Sequence, residues 1–456
     1  MSLEFMPYYC TVRFGGNNLH NCDVTSSVVR LLKAAGDDRY IIVVSAVCSV
    51  QDALSEAIPA LLSSRTQPEA PISRIVEAID SIAQLHGVHS PTVDTWVERL
   101  KTLLMGISYT GDCSPTLYDQ IMSFAEKITA ALFDAILQAQ GVDSAIRLPE
   151  DIGLRVSDES GAASILTDES CITVRHAEFA PVSIVPGSYG ITEKGKIVRL
   201  GHRAADYTAA ALTYILNSTR LELWQIRKPF KTADDSIVPD ADYAGRLTYG
   251  EASELSYFNC SGVFPRIVEP LAQYGIPIFI YDIAEGRKIL RTTISDDSSI
   301  APNVVKSVAH TDDIAILKLN GPGVGFKPGI LARITTDFNN RRLNIRSVIT
   351  AQTSINIIFD KSSIQQVRDI CGKLDFDVVN NIEIADNVSL LAVAGTGMQS
   401  YHGVSARIFA AIEYKHINVL LSGSGASDLV SYIVVNRPDR DAAIREIHSS
   451  VFSSRK

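Results

Sequence analysis

Apolar positions along the chain alternate between two periods. Tyr8 to Phe14 is a short apolar segment running into Gly15-Gly16, and a helical stretch follows at Val24 to Ala34. Tyr40 to Val47 predicts a second strand, with Ser45-Ala46 near its end, and Gln51 to Leu62 another helix. Strand, glycine turn, helix, strand is the opening of an α/β sandwich. Residues 64 to 140 then place apolar side chains three and four apart, in Ile75 to Leu85, Val93 to Leu104 and Leu117 to Leu137, which predicts an almost wholly helical section. From Cys171 the α/β rhythm returns. Val182 to Val185, Leu221 to Ile226 and Pro277 to Tyr281 read as strands, and Asp206 to Leu216, Ala252 to Phe258 and Arg266 to Tyr274 as helices. The polar stretch Thr293 to Thr311, with Pro302, predicts a linker.

The last third contains an internal repeat. Gly321, Gly323, Gly329, Ala332-Arg333-Ile334 and Asn344-Ile345 return about 74 positions later as Gly395, Gly397, Gly403, Ala406-Arg407-Ile408 and Asn418-Val419. Each copy reads βαββα, and two such units side by side bury each other's faces. The domain boundaries expected are 1–295, with the helical section at about 64–140, a linker at 296–312, and repeats at 313–385 and 386–456.

Composition narrows the chemistry. With 456 residues, 46% hydrophobic, and a net charge of −9, the chain buries large cores and is not a disordered or phosphate-backbone-binding protein. No apolar run approaches the roughly 20 residues of a membrane span, and no signal-peptide pattern opens the chain, so a cytoplasmic location is expected. The seven cysteines are scattered without metal spacing, which fits free thiols in a reducing compartment. The histidines form no ligand set. Small-molecule chemistry is the class left open.

Two loops could carry it. Gly15-Gly16 after a strand exposes backbone N–H groups that can cradle phosphate oxygens, with Arg13 beside them; a plain turn is the alternative. Gly201 to Asp206 runs into a helix, where Asp206 occupies an N-cap position by its spacing.

Taken in order, these pieces resemble aspartokinase: an amino-acid kinase fold, a three-layer αβα sandwich, followed by two ACT regulatory domains. Val12-Arg13-Phe14-Gly15-Gly16-Asn17-Asn18 stands where that family has Lys-Phe-Gly-Gly-Thr-Ser. Ser123-Phe124-Ala125-Glu126 matches Ser-Phe-Gly-Glu, and Gly201 to Ala210 matches Gly-Arg-Gly-Gly-Ser-Asp-Tyr-Thr-Ala-Ala. Glu251 to Pro265 looks like the family's later Glu-Ala-x-Glu-Leu motif, with Ser261 and Phe264 in place of its lysine and histidine. The resemblance implies transfer of the ATP γ-phosphoryl to the side chain of L-aspartate, giving 4-phospho-L-aspartate for the lysine, threonine and methionine pathway, with Mg²⁺ as cofactor.

It also implies site roles. Arg13 and Asp206 would be catalytic. Gly15, Gly16 and Ser45 would bind the nucleotide phosphates, with Arg227, Lys228 and Lys231 adding phosphate charge from new positions if the chain is an active kinase, and Glu126, His202 and Arg203 would bind the amino-acid substrate. An effector of the lysine or threonine class would meet Lys327, Gly329, Ile330, Thr350 and Gln352 in the first repeat, and a homodimer or larger assembly is expected. Several charges depart from the family. Arg13 replaces a lysine, His202 an arginine, and Gln225 to Lys231 an acidic nucleotide segment. Two readings stand: an active aspartate kinase with a remodelled nucleotide pocket, and a catalytically silent paralogue that senses an amino acid or binds a partner.

Overall fold

The computed structural model describes residues 9–64, 69–201, 204–258, 262–297, 304–373, 377–423 and 427–452. They fall into two compact units. The first is drawn from Met1–Pro229, Gly245–Ser256 and Ser261–Asp297, the second from Phe230–Ala244, Tyr257–Cys260 and Ser298–Lys456.

An eight-stranded sheet organises the first unit. In spatial order its strands are Ser144–Ile146, Val182–Pro186, Arg39–Val44, Tyr9–Phe14, Leu221–Trp224, Ile278–Ala284, Arg287–Ser295 and Arg246–Thr248. The central strands run parallel. They are apolar on both faces, as parallel strands covered by helices on each side must be; Tyr40 to Val44 are all buried. The period-two alternation of the first strand sorts the layers. Val12 and Phe14 join the core with the helix Pro115–Ala139, where Phe14 stacks on Phe133 at 5.1 Å. Thr11 and Arg13 point the other way, to Ser218 and to Asp206 in the helix Ala205–Ile215.

The helical section resolves into four helices, Cys48–Ser64, Glu69–His86, Pro91–Thr110 and Pro115–Ala139. Ser90 and Ser114 cap the last two through their hydroxyls, each with proline at the first helical position. Two expectations change. Arg266 to Tyr274 is not one helix but a 3₁₀ turn, Pro265–Val268, and a short helix, Glu269–Ala272, because prolines open both pieces. Part of the polar run from Thr293 belongs to an antiparallel strand, Arg287–Ser295, paired with Ile278–Ala284.

The second unit holds two four-stranded antiparallel sheets, and the 74-residue repeat accounts for both. One contains Ile345–Ala351, Ser354–Asp360, Ile314–Asn320 and Asn381–Ala385; the other contains Val419–Gly423, Val430–Asn436, Val388–Ala394 and Ser307–Thr311. The fourth strands are exchanged. Ser307–Thr311, just before the first copy's opening strand, pairs with Val388–Ala394 of the second copy, whereas Asn381–Ala385, its counterpart 74 residues on and just before the second copy's opening strand, pairs with Ile314–Asn320 of the first. The glycines conserved between copies register the exchange: a Cβ on Gly321 would lie 1.8 Å from the carbonyl oxygen of Val378, and one on Gly395 2.0 Å from that of Val304. Gly329 and Gly403 sit at the helix starts with φ of 92° and 82°, a conformation that favours glycine.

The expected linker at 296–312 therefore contains a structural strand, and a second repeat bounded at 386 lacks one edge of its own sheet. A fragment of residues 386–456 is expected to stay unfolded, and one of residues 304–456 to melt cooperatively, by circular dichroism. Cooperative melting of the shorter fragment would show the exchange to be dispensable.

Candidate functional site

The carboxyl ends of the central parallel strands deliver the site, as open α/β sheets do. A cavity of about 620 Å³ opens there, lined by Arg13, Gly15, Asn17, Asn18, Asn21, Ser45, Ala46, Cys48, Gln51, Glu126, Ser188, Arg199, Gln225, Ile226, Arg227 and Gly262. Three guanidinium groups face one carboxylate in that lining, so the space favours anions.

Its phosphate-loop side is built by close backbone approach. Gly16 donates its N–H to Ser45 Oγ at 3.3 Å, and a Cβ at Gly16 would lie 2.3 Å from the Ser45 carbonyl oxygen. The two asparagines that stand at the family's Thr-Ser positions clasp the neighbouring loops. Asn17 accepts the Cys48 N–H at 2.8 Å, and Asn18 donates to the Gln225 carbonyl at 3.3 Å. Gln225, with φ of 52°, in turn accepts the Ile283 N–H through its side chain.

Arg13 and Asp206 form the buried ion pair of the site, Nε to Oδ1 2.6 Å, with only 14% and 2% of the side chains exposed. Oδ1 and Nε make no hydrogen bond of ordinary geometry; the contact is ionic. The other carboxylate oxygen of Asp206 accepts the Phe264 N–H at 2.8 Å. The expected capping role is corrected: Ala204 is the N-cap, and Asp206, at the second helical position, directs its carboxylate to Arg13 and Phe264 rather than to its own helix.

Glu126 lies buried in the middle of Pro115–Ala139. Burial pushes its carboxyl up to about 7, against the opposing pull of the Arg199 charge and of hydrogen bonds from the backbone and from Ser188. Ser188 is held at φ of 68°, a costly backbone conformation of the kind that collects at functional sites.

The structure brings Arg13, Gly15, Ser45, Glu126 and Arg227 to this cavity, with Gly16 and Asp206 directly behind its wall. Lys228 is exposed and does not line it; its carbonyl accepts the Gly262 N–H. Lys231 is drawn away to Asp235, at 2.6 Å, and lies over the Tyr243 ring. His202 and Arg203 fall outside the described residues. Sequence reasoning missed Ser188, Arg199 and Gln225. No spacing marks them; Arg199 and Ser188 become legible only once Glu126 is placed beside them.

In the first repeat, the loop before the helix Ile330–Asn340 meets the turn between two strands. Gly325 donates to the Gln352 carbonyl at 3.1 Å, and Gly321 to that of Thr353 at 3.0 Å. Thr350 and Gln352 are exposed, Ile330 is buried, and Lys327 pairs with Asp377 at 3.1 Å on the surface. Among the described residues, no three His, Cys, Asp or Glu side chains gather as a metal site, and no helix is long and apolar enough to cross a membrane.

A nucleotide-sized, anion-favouring cavity at the strand ends of a parallel sheet, followed by paired βαββα units, defines a small-molecule kinase fold with a C-terminal pair of repeats. The amino acid kinase family model matches residues 10–282 and an ACT-domain model residues 391–451. The chain belongs to the amino acid kinase family and carries an ACT domain. Along nearly its whole length it is similar to aspartokinases. It is 24% identical to a bifunctional aspartokinase/homoserine dehydrogenase of Buchnera aphidicola, over 98% of this chain and 57% of that one. The chain thus spans little more than half of that relative's length. Escherichia coli aspartokinase III in complex with aspartate and ADP, in its R-state, has the same fold, with a TM-score of 0.76 at 19% identity over 98% of this chain and 100% of that one. The T-state complex of the same enzyme with lysine and aspartate gives 0.75 at 20% identity, over 98% and 99%.

Proposed function

We propose that the chain is an aspartate kinase, transferring the γ-phosphoryl of ATP to the side-chain carboxylate of L-aspartate. The observation that carries this reading is a single cavity holding both an anion cradle, Gly15, Ser45, Arg13 and Arg227, and the buried carboxylate Glu126. The cradle suits a polyphosphate, and Glu126 an ammonium group; ATP and an amino acid are the pair that needs both. In the step, a carboxylate oxygen of aspartate bonds to the γ-phosphorus as its bond to the β–γ bridging oxygen breaks. The products are ADP and 4-phospho-L-aspartate, an entry point to lysine, threonine and methionine.

Arg13 neutralises charge on the transferring group, and Asp206 holds Arg13 in place. Mg²⁺ would neutralise the nucleotide phosphates and would take its ligands from those phosphates and water, since both carboxylate oxygens of Asp206 are engaged by Arg13 and Phe264. An amino-acid effector of the lysine class fits the first repeat, where the loop at Lys327, Gly329 and Ile330 adjoins Thr350 and Gln352; the T-state relative in complex with lysine supports that class. Exposed edge strands such as Ile345–Ala351 suit pairing with a second copy, and so a homodimer.

One observation favours the catalytically silent reading. Lys231, a replacement cation expected for the remodelled nucleotide segment, is taken by Asp235. ADP release measured with MgATP, with and without aspartate, separates the two. Release that depends on aspartate is expected; no release, together with no ATP-dependent thermal shift, would reject the kinase.

The activity should carry a pH signature from Glu126. An ammonium group binds the ionised carboxylate, which forms as pH rises through about 7. KM for aspartate is therefore expected to fall between about pH 6 and 8, and Glu126→Gln to weaken binding and flatten that profile. Stability runs in the opposite sense. The folded state holds a proton that the unfolded state has already released, so the contribution of Glu126 to stability is full at low pH and is lost as pH rises through about 7.

A further inference from the structure

Arg199 ends the strand Ile197–Arg199, and its backbone is held on both sides: its N–H donates to Asp119 Oδ2 at 3.2 Å, and its carbonyl accepts the Gly161 N–H at 3.1 Å. The side chain lines the same cavity as Glu126 and Ser188. Its Nε is buried and makes no hydrogen bond. An unpartnered buried donor on a charged group is costly, and a carboxylate bound in the cavity would complete it.

We propose that Arg199 receives the α-carboxylate of the amino-acid acceptor while Glu126 receives its ammonium group. This rests on the aspartate kinase reading above. The chemistry divides cleanly. A zwitterion presents one cation and one anion, and Glu126 and Arg199 are a carboxylate and a guanidinium fixed on separate rigid elements in one cavity. The side-chain carboxylate is then left to the cradle around Arg13. Arg199 also keeps Glu126 partly ionised near neutrality, since its charge opposes the effect of burial. It thus acts on both ends of the same ligand.

The test is steady-state kinetics and calorimetric titration of aspartate on the full chain, for the wild type, Arg199→Ala and Arg199→Lys. Arg199→Ala is expected to raise KM for aspartate by roughly 10- to 100-fold and to leave KM for ATP within about twofold. Arg199→Lys should recover part of the loss, and added guanidinium ion part of it in the alanine variant. The pH at which aspartate binding sets in should move upward in Arg199→Ala, because Glu126 has lost its cation; a purely structural role would not move it. An unchanged aspartate KM, or a rise confined to ATP, would overturn the assignment while the kinase reading stands. A wild-type chain that neither binds nor phosphorylates aspartate would remove both. Thermal melting of each variant guards against misfolding, and the lysine variant keeps the test decisive if the alanine variant unfolds.

Discussion

Replacing Asp206 by alanine is expected to lower aspartate-dependent turnover by about 10³-fold and to destabilise the first unit by about 3–5 kcal/mol. Two interactions vanish together. Arg13, with 14% of its side chain exposed, is left buried beside no counter-ion, and the Phe264 N–H loses its acceptor at 2.8 Å. The kinetic loss has a separate origin. A guanidinium held at 2.6 Å by a carboxylate is preorganised toward the cavity, whereas a freed one must be reoriented in each turnover. Asp206→Asn separates the effects. It keeps an oxygen for Phe264 but not the charge, so it should restore part of the stability and little of the turnover. Urea denaturation and ADP release measure the two. An alanine variant within tenfold of wild-type turnover would show that the ion pair is architectural only.

Much of this fold could be read from periodicity, because the elements that pack locally announce themselves. The glycine pair, the four-helix section and the 74-residue repeat were each visible as patterns of apolar and small residues. The exchanged strand Ser307–Thr311 was not. Its partner Val388–Ala394 lies some 80 residues further on, and its own polar character matches a linker. The 74-residue offset did contain the clue, since Val304-Val305 precedes this strand as Val378-Val379 precedes Asn381–Ala385. The same division holds at the site. Gly15, Gly16, Ser45 and Glu126 stand in motifs, so resemblance reaches them. Arg199, Ser188 and Gln225 owe their positions to φ values and burial that no local pattern encodes. Lys231 shows the converse: a cation placed in the right segment is drawn away by an acidic residue four positions later.

The asparagine clasp changes the meaning of two substitutions that look like losses. At the positions where the family has Thr-Ser, Asn17 and Asn18 bond to Cys48 and to Gln225, across the loops that follow the strands Arg39–Val44 and Leu221–Trp224. The glycine loop is therefore joined to the segment after Leu221–Trp224 through the Gln225 backbone carbonyl.

Gly16→Ala tests that joint at its tightest point, and the expected result is a loss of nucleotide affinity of about 100-fold or more, with a destabilisation of about 1–3 kcal/mol. The new Cβ would fall 2.3 Å from the Ser45 carbonyl oxygen and 2.8 Å from both the Ala46 carbonyl carbon and the Val47 nitrogen. All three are backbone atoms of a segment entering the helix Cys48–Ser64, so relief requires the two loops to separate. Separation breaks the Gly16 N–H to Ser45 contact and the 2.8 Å bonds of Asn17 to Cys48, which together set the width of the cradle. Gly15→Ala is the matched control. Its nearest neighbour would be Arg13 Nη1 at 3.1 Å, a contact relieved by a shift of the guanidinium tip of a few tenths of an ångström with Nε still on Asp206, so binding should stay within about tenfold of wild type. Titration with a fluorescent ADP analogue and a thermal melt of both variants measure the contrast. Equal affinities for the two would mean that phosphate does not rest on this loop, because only Gly16 is locked against the backbone of its neighbour.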